Sequence, residues 1–205
     1  MMNTVLAHPY PPAVKPQPIL LEGEQLGLGT FDAQHAELYW RWEQEPDVMA
    51  GLGHQTPTTR EVRLADYEAQ ARRMDTASRF TIYDMAAGEP CPVGYTTLLI
   101  DHHRRTAEYL IILGAEGRGR GLGVEATELT LDWAFRICAL RTVWLYVLEP
   151  HTAAITTYQR AGFTETGRRP NCGYWYGQPT DEILMCAEAD MTAPVAVTPL
   201  GGDRG

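Results

Sequence analysis

Short apolar runs interrupted by glycine open the readable part of the chain, where "ILLEGEQLGLGTF" predicts a strand or hairpin. In "DAQHAELYWRWEQ" the apolar residues recur three and four apart, which predicts a helix with Asp32 placed as its N-cap. "EPDVMAGLGHQTP" reads as a loop, and "TREVRLADYEAQARRM" as a second, charge-rich helix. The segments "SRFTIYDM", "PVGYTTLLID" and "TAEYLIILG" alternate or run apolar between the turn-like "AAGEPC" and "HHRR", the pattern of an antiparallel meander. The regime then changes. A glycine-rich loop leads into a helix from about Leu122 to Cys138, a strand "RTVWLYVLE", a helix "HTAAITTYQRA" and two closing strands around "FTETGR" and "EILMCAE". A strand-helix-strand passage of this kind predicts a right-handed parallel crossover. The expected class is therefore α/β (α+β mixed), with a central, mostly antiparallel sheet flanked by helices.

The ends break this pattern. "AHPYPPAVKPQP" carries five prolines in twelve residues, which excludes helix, so residues 1–18 are expected to form a disordered arm. Residues 190–205, rich in small residues, proline and glycine, are expected to be a flexible tail, leaving 19–189 as one domain. Hydrophobic residues at 44% and charged ones at 21% are globular proportions, and no run approaches the roughly 18 apolar residues of a membrane span. No basic and apolar leader with a cleavage site stands at the N-terminus, so a cytoplasmic location is expected. Cys91, Cys138, Cys172 and Cys186 lack CxxC pairing, and no histidine stands in an HExxH spacing, so no metal is expected. The net charge of −9 opposes a nucleic-acid surface and suits a cationic partner.

Candidate chemistry concentrates in "GRGRGLG", residues 117 to 123, at the junction of an apolar strand and a long helix. A helix begins with backbone N–H groups that have no internal partner and carries partial positive charge there. Glycines allow positive φ and close approach, while Arg118 and Arg120 add full charges, so a phosphate or pyrophosphate is the natural guest. A Walker loop fails for want of the lysine and hydroxyl at its end. A dinucleotide fingerprint is formally matched by Gly121, Gly123 and Ala126, with Glu149 as a ribose ligand. Yet seven residues separate Leu113 from Gly121 and three meander strands lie upstream, where such folds place the first glycine directly after their first parallel strand.

The third pattern, R-x-x-G-x-G on Arg118, Gly121 and Gly123, resembles the GCN5-related N-acetyltransferases, most closely the ribosomal-protein alanine acetyltransferase-like branch. "AEYLIILGAEGRGRGLGVEA" follows that family's register without a gap. "WRWEQEPDVM" is similar to its loop between the first two helices, "AAITTYQRAGF" to its last helix and "DEILMC" to its closing strand. The resemblance implies a sheet splayed between strands 4 and 5, with acetyl-CoA, or another acyl-CoA, as co-substrate in the opening. Its pyrophosphate would lie on Arg118, Gly119, Arg120, Gly121, Leu122 and Gly123, and its pantetheine arm along Ile111, Ile112 and Leu113, with His151 and Tyr158 beside it.

The same resemblance implies transfer of the acyl group to a primary amine by direct attack in a ternary complex. An amine of pKa near 10.4 must lose a proton, about 4 to 5 kcal/mol uphill at pH 7, which calls for a base such as Glu108. Tyr158 stands where the family carries the acid that protonates the leaving thiolate. Trp42, Glu43, Glu45, Asp47 and Tyr174 would face the acceptor, a small-molecule amine or a protein N-terminus. His151 replaces a common asparagine and Leu110 a usual glycine. Other readings stay open: donation from an acyl carrier protein's phosphopantetheine, or a non-catalytic CoA-binding module. Either a monomer or a homodimer is compatible with the family.

Overall fold

In the computed structural model, which describes residues 18–53, 56–72, 75–86 and 88–190, the first apolar run folds as the hairpin β1 (Ile19–Glu22) and β2 (Leu26–Thr30). The proline-rich arm and the C-terminal tail expected from sequence lie outside the described residues, save for Pro18 and Asp190. Asp32 caps through its side chain, with Oδ1 accepting from the Gln34 amide at 2.9 Å. It caps a single 3-10 turn, Ala33–His35, from which α1 (Ala36–Glu43) continues. The segment expected as loop contains a further helix, α2 (Pro46–Gly51). Proline at its first position costs nothing, because that N–H would have no helical partner anyway. Helix α3 (Arg60–Arg72) follows.

The meander forms as β3 (Ala77–Asp84), β4 (Cys91–Asp101) and β5 (Thr106–Leu113). Helix α4 (Leu122–Asp132) runs on into one π-helical turn, Trp133–Ile137, and leads to β6 (Thr142–Leu148). Then come α5 (Thr152–Arg160), β7 (Thr164–Trp175) and β8 (Gln178–Glu188), the last two longer than the apolar pattern suggested. The eight strands among the described residues share one sheet in the order β1-β2-β3-β4-β5-β6-β8-β7. Every neighbouring pair is antiparallel except β5 and β6. This is the mixed α/β fold that the sequence predicts.

The β5–β6 pair decides where a ligand can enter. It holds only at Thr106↔Thr142, Ala107↔Val143 and Glu108↔Trp144. β4 grips the whole of β5 from Thr106 to Leu113, and β8 grips the whole of β6. Beyond Glu108 and Trp144 the two strands must therefore diverge, each carried off by its outer neighbour. Alternation then sorts the side chains of β5. Tyr109 goes to the α4 face, where its hydroxyl lies 3.0 Å from Thr127 Oγ1. Leu110 and Ile112 go to the opposite face, among the aromatic residues of α1 and α3.

Candidate active site

Between the diverging strands lies a cleft of about 1350 Å³. Its walls come from β5, the glycine loop, α5, α2 and the β7–β8 hairpin. The loop presents a row of donors. The amides of Gly117, Arg118 and Val124 bond to Gly114, Ala115 and Gly121 carbonyls. Those of Gly119, Arg120, Gly121, Leu122 and Gly123 have no hydrogen-bond partner among the described residues. Five consecutive free N–H groups at a helix start form a receptor for an oxyanion-rich group.

The four glycines turn out to serve two purposes. Gly119 (φ 70°) and Gly121 (φ 83°) adopt the left-handed conformation, and a Cβ at either would point into open space. These two shape the cradle. A Cβ on Gly117 would meet the Val93 carbonyl oxygen at 3.1 Å, and one on Gly123 would meet Leu113 and Thr157 side chains at 3.3 Å. At these two, packing leaves a side chain little room.

The two arginines diverge as well. Arg118 lines the cleft, donating from Nε to the Leu113 carbonyl (2.9 Å) and from Nη2 to Glu45 (2.5 Å). Arg120 pairs instead with Asp84 at 2.5 Å, outside the cleft lining, and that contact holds the Asp84 carboxyl below its ordinary range. Its side chain is thus a brace for the loop, and the expected direct contact with an anion falls to its backbone N–H. Leu122 is fully buried and likewise has only its N–H to offer. Ile111, Ile112 and Leu113 all line the cleft, and with no β6 partner they form a free strand edge. Ile112 buries its side chain and turns its main-chain carbonyl toward β4, so the open main-chain groups of this edge belong to Ile111 and Leu113.

Tyr158 and Glu108 both line the same cleft. Tyr158 projects from α5, its ring edge-on to Tyr109 (6.3 Å) and tilted against Phe163 (5.8 Å). Burial pushes its phenol up to about 12, and no described residue bonds to its hydroxyl. The phenol is therefore a proton donor at any working pH. Glu108 is the last β5 residue still paired with β6. Burial raises its carboxyl above the ordinary value, which brings its proton affinity closer to that of an amine. His151, just before α5, has its imidazole pushed down first by burial and then by the nearby Arg118 cation. Its ring lies 5.4 Å from Trp175 and against Gly51, where a Cβ would come within 3.0 Å.

The predicted acceptor residues separate into two groups. Asp47 lines the cleft and accepts from the Tyr176 hydroxyl at 2.6 Å, and Tyr174 lines it as well. Glu43 does not reach it: only 3% exposed, it takes a bidentate pair from Arg63 (2.6 and 2.5 Å) and a hydrogen bond from Tyr95. Trp42 is buried too and donates to Glu116 at 2.8 Å. Glu45 supports Arg118 from behind the loop. Glu43 and Trp42 share one cause, since α1 packs this face onto β4 and β5 and its polar groups must be paired there. Other residues take their place. Trp144, not among the residues singled out from sequence, lines the cleft with Tyr146, Arg169 and Glu182. The signal was present in β6, where Val143, Leu145 and Val147 are buried and the alternate positions must face the other way. Among the described residues no group of three or more His, Cys, Asp or Glu is placed to hold a metal, and no helix is long and apolar enough to cross a membrane.

A splayed mixed sheet with an amide cradle at one end of the split is the architecture of a CoA-dependent acyltransferase. The chain belongs to the GNAT acetyltransferases: the family's "Acetyltransferase (GNAT) domain" matches residues 25–164. Spermidine N(1)-acetyltransferase of Escherichia coli K12 is 33% identical over 87 residues, 42% of this chain and 47% of that enzyme, so the match spans about half of the relative's length. An L-methionine sulfoximine/L-methionine sulfone acetyltransferase of Pseudomonas paraeruginosa is 27% identical over 69% of this chain and 81% of its own. In fold, the chain is similar to the Vibrio cholerae spermidine N-acetyltransferase solved with CoA and spermine, with a TM-score of 0.72 and 21% identity over 80% of this chain and 95% of that one.

Proposed function

We propose that this protein transfers the acetyl group of acetyl-CoA to the primary amine of a small molecule, within a domain spanning residues 19–189. One observation carries the reading: the free edge of β5 runs from the five unpartnered amides to a carboxyl and a phenol in the same cleft. The amides and Arg118 hold the diphosphate, and residues 111–113 align the pantetheine arm as an added strand would lie. Glu108 takes the proton of the acceptor ammonium, directly or through water, so that the neutral nitrogen attacks the thioester carbonyl. Tyr158 donates its hydroxyl proton to the departing thiolate sulfur. Asp47 and Tyr174 orient the acceptor. The names of the relatives favour a small amine over the protein N-terminus of the ribosomal-protein branch.

The test is thiol release from acetyl-CoA, followed against spermidine, methionine sulfoximine and a peptide with a free N-terminus. Release with at least one of the small amines, with the acetyl group located on nitrogen by mass spectrometry, is the expected result. Tight CoA binding without release across a broad amine panel would overturn catalysis in favour of a CoA-sensing module. Release from a carrier-bound thioester but not from acetyl-CoA would overturn the donor.

A further inference from the structure

The acceptor wall contains a cation site that the chain fills by itself. On β6, Trp144 and Tyr146 lie on one face, their rings 5.4 Å apart and edge to face, and Trp144 is paired with Glu108. Tyr146 lies two residues further along the strand, roughly 7 Å beyond Trp144, the span of a short alkyl chain. There the aromatic face and the carboxylate of Glu182 come together, the combination that attracts an ammonium group. The guanidinium of Arg169 occupies this place. Its Cζ lies 4.1 Å from the Tyr146 ring centroid and its Nη2 is paired with Glu182. All three residues line the cleft, and Arg169 comes from β7, the outermost strand of the sheet.

We propose that Arg169 is a specificity-determining residue, a tethered cation that satisfies Tyr146 and Glu182 and so removes any reward for a second ammonium on the acceptor. The proposal rests on the amine-acetyltransferase reading. It limits what the overall charge of −9 implies, because the positive charge of Arg169 and the negative charge of Glu182 cancel at the point where the far end of an elongated acceptor arrives. The acceptor class that follows is a primary amine with a neutral or zwitterionic body. A polyamine is then taken no better than a monoamine of the same length.

Removing either partner has opposite consequences. Arg169→Gln leaves Glu182 and the Tyr146 face open to a substrate cation, whereas Glu182→Gln leaves an unpaired guanidinium that favours a carboxylate and repels an ammonium. The experiment compares kcat/KM for hexylamine, hexamethylenediamine and ε-aminocaproate in the wild type and both variants. In the wild type the diamine is expected to match the monoamine. In Arg169→Gln the diamine-to-monoamine ratio should rise about five- to tenfold, the combined weight of an exposed ion pair and a cation–π contact. In Glu182→Gln the ratio of ε-aminocaproate to diamine should rise by a similar factor. Unchanged ratios in both variants, or shifts in the same direction, would overturn the proposal, since loss of sheet structure lowers all three rates together. A wild type inactive on every amine would instead overturn the acetyltransferase reading.

Discussion

In the proposed mechanism Glu108 sets stability against chemistry within a single side chain. Its folded-state pKa lies above that of an unfolded carboxyl, so it favours the fold below the unfolded value and loses that contribution as pH rises through the folded one. At neutral pH the ionised group is therefore a net burden, with burial as its cause. Glu108→Gln should give an equal or higher melting temperature at pH 7, the advantage shrinking as pH falls into the carboxyl range. The same variant should lose about 100-fold or more in turnover and should lack the acid limb expected of the wild type as Glu108 protonates. Melting curves and a pH–rate profile read the two effects separately. Tyr158 offers the complementary case. Its hydroxyl has no partner among the described residues, so Tyr158→Phe removes no structural hydrogen bond and should leave the melting temperature unchanged or raised. Turnover should fall about 100-fold with KM for acetyl-CoA within about twofold, and retained turnover would remove Tyr158 as the acid.

At the scale of elements, the glycine loop separates into positions that shape a receptor and positions that let elements touch. Gly121→Ala places a Cβ on left-handed backbone, at a cost of about 1 kcal/mol, and directs it into the open cradle. Gly123→Ala keeps helical backbone and brings a methyl group to 3.3 Å from the Leu113 and Thr157 side chains, which must shift to receive it. In calorimetric titrations Gly121→Ala should show the larger loss of acetyl-CoA affinity, while the urea midpoint of Gly123→Ala reads how far Leu113 and Thr157 give way. A larger affinity loss in Gly123→Ala would mean that the roles are exchanged. Sequence alone marked this loop as a candidate anion receptor, since glycine and arginine at a helix start are local signals. It did not separate the glycines, because Gly123 depends on α5, some thirty residues away in the chain. Helix α2 was read as loop because it is too short for apolar periodicity to register. Glu43, Trp42 and Arg120 were placed in the site because the chemistry of a side chain is legible but its partner is not: Tyr95, Glu116 and Asp84 lie 52, 74 and 36 residues distant.

At the scale of the molecule, the cleft exists because two well-paired groups of strands are joined by a short seam. One group, β1 to β5, and the other, β6 with β8 and β7, share only the three pairs that end at Glu108 and Trp144. The seam is braced on one face by Tyr109, which contacts Thr127 of α4, Tyr158 of α5 and Phe163. This arrangement keeps the open edge of β5 rigid before any ligand arrives, because β4 fixes it along its whole length. A ligand that pairs with that edge should therefore add protection without reorganising the sheet. In amide hydrogen exchange, saturating acetyl-CoA should slow residues 109–113 and 118–123 together while β1 and β2 stay unchanged. Within β5 the effect should alternate, falling on the amides directed away from β4, since the others are already bonded. Stability should rise with ligand concentration as mass action requires, about 2.7 kcal/mol at a hundredfold excess over Kd. Protection confined to the loop, with 109–113 exchanging as before, would show that the diphosphate is held while the arm lies elsewhere, and the placement of the acyl group between Glu108 and Tyr158 would fail with it.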